Sequence, residues 1–119
     1  MVSELRNTFI KQPYEVLPLE VNFGSLTILP KGASYIEQAS ATAKKWKRTD
    51  SDNTEDATTE FLVLENQSPK VAILPPSRCK IRLHVNGGTA GYDYQVTVRV
   101  RFDSGAQLEE ELYIRVMER

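Results

Sequence analysis

Alternation of apolar and polar residues dominates the chain and predicts β-strands rather than helices. The clearest case is the segment from Tyr92 to Phe102, in which every second residue is apolar. The apolar face consists of Tyr94, Val96, Val98, Val100 and Phe102, and the polar face consists of Gln95, Thr97, Arg99 and Arg101. A strand with this pattern covers a core with one face and meets solvent with the other.

A second alternating segment, Gln107 to Met117, follows the turn sequence Asp103-Ser104-Gly105 and predicts a hairpin. Paired residues of an antiparallel ladder point to the same face, and only a loop with an odd number of residues keeps the two apolar faces in phase. We therefore predict a three-residue loop with Gly105 in a G1 bulge. This register would place Arg99 and Arg101 beside Glu109 and Glu111 on the polar face.

Five other segments have strand character. They are Glu15–Phe23, Ser34–Trp46, Phe61–Leu64, Val71–Leu74 and Lys80–Val85. Pro18 lacks an amide proton, so the first of them is expected at a sheet edge or at a bulge. An alanine-rich helix is the competing interpretation of Ser34–Trp46, but Ser40 and Thr42 between its alanines favour a strand.

About seven short strands separated by turn signals, with no convincing helix, predict an all-β fold. The pattern is typical of a two-sheet, immunoglobulin-like β-sandwich. The single cysteine excludes an intrachain disulfide. Tyr94 or Tyr92, at the start of the penultimate strand, would suit the tyrosine corner of such sandwiches.

The length of 119 residues is that of one domain. Residues 1–12 are largely polar, so we expect a flexible N-terminal arm in front of a single sandwich domain, residues 13–119. Residues 49–59 are acidic and lack large apolar side chains, so we expect a mobile loop there.

Charge argues against nucleic acid as a partner. The 15 basic and 16 acidic residues give a net charge of −1. Only Lys44–Arg48 forms a basic cluster, and acidic residues follow it directly, so we expect its charges to pair within the chain. Binding of nucleic acid through this cluster remains an alternative. No apolar run has the length of a membrane span, so no membrane association is expected.

Candidate chemistry is sparse, and we expect neither an enzyme nor a cofactor. The chain has one histidine and one cysteine, His84 and Cys79, whose spacing on a strand puts them on opposite faces. The acidic run Asp50–Asp56 lacks the glycine and the final glutamate of an EF-hand loop. The glycine-rich segment Asn86–Gly91 precedes a strand, whereas a phosphate-binding loop precedes a helix.

Two ends of the sequence carry a family resemblance. The stretch Asn86-Gly87-Gly88-Thr89-Ala90-Gly91, the strand Tyr94-Gln95-Val96-Thr97 and the ending Arg115-Val116-Met117-Glu118-Arg119 resemble the C-terminal half of small tailed-phage and prophage proteins. The lead Ile10-Lys11-Gln12-Pro13 is similar to their N-terminal pattern. The charged segment from Lys44 to Asp56 departs from that pattern.

The resemblance implies a small structural protein of a phage or prophage virion, assembled in the cytoplasm of a host bacterium. It implies a tail or fibre adaptor that contacts other tail or fibre proteins, with a homo-oligomer such as a ring as a further expectation. The candidate contact residues are Phe9, Ile10, Tyr14, Trp46 and Tyr113. The alternative is a carbohydrate- or ligand-binding sandwich, which needs Trp46, Tyr35 and Tyr92 together on one face.

Overall fold

The computed structural model describes residues 8–23 and 34–118. The strands are β1 (Thr8–Lys11), β2 (Leu17–Asn22), β3 (Ile36–Lys47), β4 (Asp50–Asp56), β5 (Leu64–Glu65), β6 (Ser68–Pro69), β7 (Ala72–Leu74), β8 (Lys80–Val85), β9 (Tyr92–Phe102) and β10 (Gln107–Val116). One helical turn, α1, spans Thr58–Phe61.

Two sheets form the body of the protein. The larger sheet has the order β1-β10-β9-β3-β4, and the smaller has the order β2-β8-β7. β1 runs parallel to β10, and the other pairs are antiparallel. The predicted all-β sandwich is confirmed. Its strand order is immunoglobulin-like. In the lettering of that fold, the smaller sheet has the order B-E-D for β2-β8-β7. The larger sheet contains the order G-F-C for β10-β9-β3.

The core lies between the inner faces of the two sheets. The five residues predicted as the apolar face of β9 are all buried. The smaller sheet contributes Leu19, Val21, Ile81, Leu83 and Val85 from its own alternating positions. Ala41 and Ala43 of β3 are also buried, which confirms the strand interpretation of this alanine-rich segment. β2 lies at a sheet edge, as its Pro18 predicts.

The β9–β10 hairpin has the predicted three-residue loop. The amide of Gly105 donates to the oxygen of Phe102 at 2.9 Å, and Gly105 has a φ of 89°. Arg99 lies opposite Glu109 and binds it at 2.7 Å. The three-residue loop sets Arg101 opposite Gln107 rather than opposite a glutamate, and the Arg101 guanidinium approaches Glu37 at 3.6 Å.

A tyrosine corner closes the connection between β8 and β9. The Tyr94 hydroxyl accepts a hydrogen bond from the amide of Thr89 at 2.9 Å. The Tyr94 ring is fully buried and stacks on Phe61, with 4.0 Å between ring centroids. Of the two tyrosines considered from the sequence, Tyr94 therefore forms the corner.

Residues 49–59, expected to form a mobile acidic loop, contain a strand and the start of a helical turn instead. Residues Asp50–Asp56 form β4, which pairs with β3, and α1 follows. In this register Asp56 lies opposite Lys44, and Asp50 lies opposite Lys47. All seven side chains of β4 are exposed, so backbone pairing and opposite charge hold the strand without an apolar face.

Two other boundaries differ from the sequence-based expectation. The flexible arm expected at residues 1–12 includes β1, so the folded domain begins at least as early as Thr8; residues 1–7 lie outside the described ranges. The strand expected at Phe61–Leu64 is wrong as well. Phe61 ends α1, Leu62 makes only an isolated bridge to Val85, and Leu64 begins β5.

Candidate protein contact surface

Among the strands that the structure describes, β1 is an edge strand of the larger sheet. Its Lys11 carbonyl accepts a hydrogen bond from the amide of Met117 at 2.9 Å, so the peptide groups of Lys11 face β10. Peptide groups alternate in direction along a strand, and those of Thr8 and Ile10 therefore face away from the sheet. Within residues 8–23 and 34–118, β10 is the only strand that pairs with β1. An edge of this kind can pair with a further strand.

Large apolar side chains are exposed around this edge. The structure exposes seven such residues in its described ranges, and five of them lie on β1, in the turn after it, or just after β10. These five, which we call the β1-edge patch, are Phe9, Ile10, Tyr14, Val16 and Met117. Tyr14 is the most exposed, at 84%. Exposed apolar residues concentrated along an edge strand and the segments next to it indicate an interaction site.

A buried lysine anchors β1 to the body of the domain. Lys11 is fully buried, and its ammonium donates to the backbone oxygens of Gln12, Pro13 and Gly87. The three acceptors match the three protons of the ammonium. Burial lowers the pKa of Lys11, and the nearby Glu15 carboxylate partly offsets this effect. The lysine therefore fixes the position of β1 against the loop between β8 and β9.

The turn between β1 and β2 is held by its own hydrogen bonds. The amide of Gln12 donates to the Glu15 carboxylate at 2.7 Å, and the amide of Glu15 donates to the Gln12 oxygen at 3.1 Å. This turn presents Tyr14 to solvent. The backbone on both sides of Lys11 is therefore hydrogen-bonded, and it holds the residues of the β1-edge patch in position.

The opposite edge of the same sheet has the reverse character. β4 exposes all of its side chains, and four of them are acidic: Asp50, Asp52, Glu55 and Asp56. Charged residues on an edge strand oppose pairing with another chain. The two edges of the larger sheet therefore differ, since one is apolar and the other is protected by charge.

Three of the five residues predicted to make contacts lie on β1 or in the turn after it. Phe9, Ile10 and Tyr14 all belong to the β1-edge patch. Tyr113 is half-buried on the polar face of β10, where it pairs in register with Thr8 and donates its hydroxyl to Glu111 at 2.9 Å. Trp46 is half-buried at the far end of β3, and two strands, β9 and β10, separate it from β1.

Sequence reasoning missed two members of the patch, Val16 and Met117. Alternation gave one signal for Val16, because it falls on the face of its segment opposite Leu17, Leu19 and the other core residues. Met117 carried no such signal. It joins the patch only because the parallel pairing of β1 with β10 brings it beside Lys11.

The basic cluster Lys44–Arg48 is neutralised within the chain, as the sequence predicts. Lys45 donates to Glu60 at 2.8 Å, and this hydrogen bond raises the pKa of Lys45. Arg48 binds Asp93 at 3.1 Å and also donates to the oxygen of Val116. Lys44 and Lys47 lie opposite acidic residues of β4. The cluster is therefore part of the charge pairing that closes this side of the sheet.

The aromatic platform needed by a carbohydrate-binding module does not form. The Tyr35 ring lies under Arg78, 5.0 Å from its guanidinium carbon. Tyr92 lies near the other end of β3, 5.4 Å below the Lys45 ammonium. Trp46 pairs in register with Asp93 on the opposite face from Tyr92. A polar groove of about 430 Å³ crosses the outer face, with Thr42, Gln95 and Thr97 in its lining.

The other residues that the sequence marks as candidates for chemistry lie outside the β1-edge patch. Cys79 is half-buried, and its thiol donates to the oxygen of Ser34 at 3.3 Å. Among the described residues, no three of the types His, Cys, Asp and Glu are grouped to hold a metal ion. The one helix in the described ranges is the four-residue α1, which is too short to cross a membrane.

Comparison of the sequence with models of protein families and with curated proteins gives no match. Within residues 8–23 and 34–118, the fold is an immunoglobulin-like β-sandwich whose edge strand β1 carries exposed apolar residues and pairs with β10 alone.

Proposed function

We propose that the protein is a non-enzymatic assembly component of a tailed-phage or prophage particle, a small tail or fibre adaptor that acts through its β1-edge patch. One observation carries the proposal: five of the seven exposed large apolar residues in the described ranges lie on the edge strand β1, between β1 and β2, or directly after its neighbour β10. The resemblance of both chain ends to small phage structural proteins supplies the virion setting.

The edge offers two kinds of interaction to a partner. The outward peptide groups of Thr8 and Ile10 can extend the sheet by strand addition, which supplies hydrogen bonds of defined geometry. The patch supplies apolar area, and full burial of one large apolar side chain contributes about 1.5–3 kcal/mol. Association itself costs about 4–15 kcal/mol, so several patch residues must be buried together for stable assembly.

The anchoring of β1 favours this function. An arm that orders only upon binding loses conformational entropy at that step and binds more weakly for the same buried area. Lys11 and the hydrogen-bonded turn from Gln12 to Glu15 hold the edge in place before a partner arrives. The partner therefore meets a preformed surface.

The experiment uses cells that carry the gene and are treated with a DNA-damaging agent to induce prophages. Particles are purified by density gradient, and the protein is quantified by mass spectrometry against the major particle proteins. We expect a fixed ratio to those proteins through successive purification steps. An Ile10→Glu variant should fall out of the particles, because a carboxylate at the patch must be desolvated on assembly.

Thr54→Glu is the matched control, since it adds the same side chain to the exposed edge strand β4. This variant should remain in the particles at the wild-type ratio. Circular dichroism and thermal melting verify that both variants fold. Loss of the wild-type protein during purification, or equal loss of both variants, would overturn the proposal.

A further inference from the structure

Only part of β3 is paired on both of its sides. β9 pairs with nearly the whole strand, whereas β4 pairs with it only at Lys44, Lys45 and Lys47. Among the strands that the structure describes, none pairs with the second side of residues 38–43. The acidic strand β4 therefore protects one end of this edge and leaves the other end able to accept a further strand.

Hydrogen bonds at Ala43 show which peptide groups face the unpaired side of β3. The amide of Ala43 donates to the Thr58 hydroxyl at 3.0 Å, and the oxygen of Ala43 accepts from the amide of Ala57 at 2.9 Å. Both groups of Ala43 therefore face away from β9. The register with β9 is unbroken between Ala39 and Ala43, so the alternation of the ladder directs the amide and the oxygen of Ala39 to the same side.

A cleft of about 540 Å³ lies beside Ala39, between β3 of the larger sheet and β7 of the smaller sheet. Its apolar lining comes from Ala39, Val71, Ile73 and Val100. Three of these, Ala39, Val71 and Ile73, pack against the core but are only half-buried. An apolar side chain in the cleft would remove their remaining surface from water, which favours binding.

A shallow pocket of about 400 Å³ continues this cleft towards the start of β3. It shares Glu37, Gln38 and Arg101 with the cleft and adds Tyr35 and Arg78. The Arg78 guanidinium carbon lies 5.0 Å from the centre of the Tyr35 ring, so the ring positions this guanidinium. We call the cleft and the pocket together the β3 groove.

The lining of the β3 groove carries an excess of positive charge. The Arg101 guanidinium approaches Glu37 at 3.6 Å, and within the described part of the chain Arg78 forms no ion pair. The third arginine of the lining, Arg99, is already bound by Glu109 at 2.7 Å. Two guanidiniums therefore face one carboxylate, and an acidic partner would be complementary to them.

We propose that the β3 groove binds an extended acidic segment of a partner protein, which adds a strand to β3 at Ala39. The central residue of the segment exchanges both backbone hydrogen bonds with Ala39. Its side chain points into the cleft and is apolar, because side chains alternate between the two faces of a strand. Its two neighbours lie on the outer face beside Gln38 and Ser40, where acidic side chains meet Arg101. The recognised pattern is acidic, apolar, acidic.

This site is separate from the β1-edge patch, and the inference does not rest on the proposed function. β10 and β9 lie between β1 and β3 in the larger sheet. Strand β4 of a second copy would match the charge of the groove, but β4 has no apolar residue to enter the cleft. A protein with one contact surface on each side of a sheet can join two different partners.

The test titrates the peptide Gly-Ser-Thr-Asp-Leu-Asp-Thr-Ser-Gly into the isotope-labelled full chain and follows the backbone amides by NMR. We expect saturable shifts at residues 38–40 with a Kd below about 1 mM. Lysines in place of both aspartates should abolish binding. Methylation of the leucine amide should also abolish it, since the oxygen of Ala39 accepts that proton. Methylation of the second aspartate amide, which faces away from β3, should leave binding unchanged.

Variants of the protein test the charge of the groove. Arg101→Gln should weaken binding about threefold, because exposed ion pairs contribute little each. Arg82→Gln is the matched control in the smaller sheet. The two arginines have side-chain exposures of 44% and 45%, and each approaches one glutamate. Arg82→Gln should leave the Kd unchanged, and thermal melting verifies that both variants fold.

The outcomes separate this inference from the proposed function. Shifts at residues 38–40 that methylation of the leucine amide removes support strand addition at Ala39. The inference would be overturned by absence of binding with leucine, isoleucine or phenylalanine at the central position, by binding that survives that methylation, or by equal effects of the two arginine variants. Shifts at Thr8 and Ile10 instead would overturn it too, but would leave the assembly role of the β1-edge patch standing.

Discussion

The Lys11 ammonium donates a hydrogen bond to the backbone oxygen of Gly87, a residue 76 positions further along the chain. This bond joins the first described strand to the loop that leads into β9. Lys11 is also the one buried charged residue in the described ranges. A segment that composition marks as an arm is therefore part of the sandwich, and its edge becomes a fixed surface.

Lys11→Met should destabilise the fold. It retains the apolar stem but leaves three backbone oxygens without their donor, and a buried group without a partner costs about 1–3 kcal/mol. The free energy of unfolding from urea titration measures the loss. Lys47→Met, on an exposed strand position, should change that free energy by no more than about 0.5 kcal/mol. Equal effects of the two substitutions would show that Lys11 does not anchor β1.

Gly88→Ala should be among the most destabilising small substitutions in the chain. Gly88 has a φ of 96°, and an added Cβ would lie 2.9 Å from the Val116 side chain and 3.1 Å from Phe61. Overpacking costs about 1–3 kcal/mol, and the left-handed backbone adds about 1–2 kcal/mol. Gly91→Ala is the control, since its φ is 92° but an added Cβ meets nothing within 4 Å. Thermal melting should show a clearly larger drop for Gly88→Ala.

Tyr94→Phe tests the tyrosine corner. It removes only the hydroxyl that accepts from the Thr89 amide and leaves the ring stacked on Phe61. We expect a loss of about 0.5–1.5 kcal/mol in the free energy of unfolding. Tyr92→Phe provides the comparison and should lose less. An unchanged stability of Tyr94→Phe would mean that ring packing alone closes this connection.

Asp103 should make the stability of the protein depend on acid pH. The amides of Ser34 and Tyr35 donate to its carboxylate at 2.8 and 3.2 Å, and these bonds lower its pKa from 3.8. A lowered folded-state pKa stabilises the fold above the unfolded-state pKa, and the contribution disappears as pH falls through the folded-state value. The wild-type advantage over Asp103→Asn in urea should therefore be full at neutral pH and shrink below 3.8. A difference that stays constant with pH would contradict this role.

The β9–β10 hairpin was predictable because its apolar residues alternate over many positions and a glycine marks the turn. β4 was not, because all its side chains are exposed and polar, and only its pairing with β3 makes it a strand. β1 was missed for a related reason. It has four residues, and one of its two inward positions holds a lysine, whose burial depends on the distant Gly87.

The sequence predicts some members of the β1-edge patch but not all of them. Phe9, Ile10 and Tyr14 are among the residues predicted to make contacts, and all three are exposed on β1 or in the turn after it. Met117 could not be assigned to them, because a parallel pairing between the two ends of the chain leaves no local signal. Trp46 lies away from the patch, because the strand order puts β10 and β9 between β3 and β1.

The central claim, that the edge around β1 is the surface used in assembly, is tested most directly by amide hydrogen exchange of the protein free in dilute solution and within purified particles. The account predicts stronger protection in the particles for peptides that cover Thr8–Leu17, with little change in β4. Protection that rises in β4 and stays unchanged in Thr8–Leu17 would contradict it.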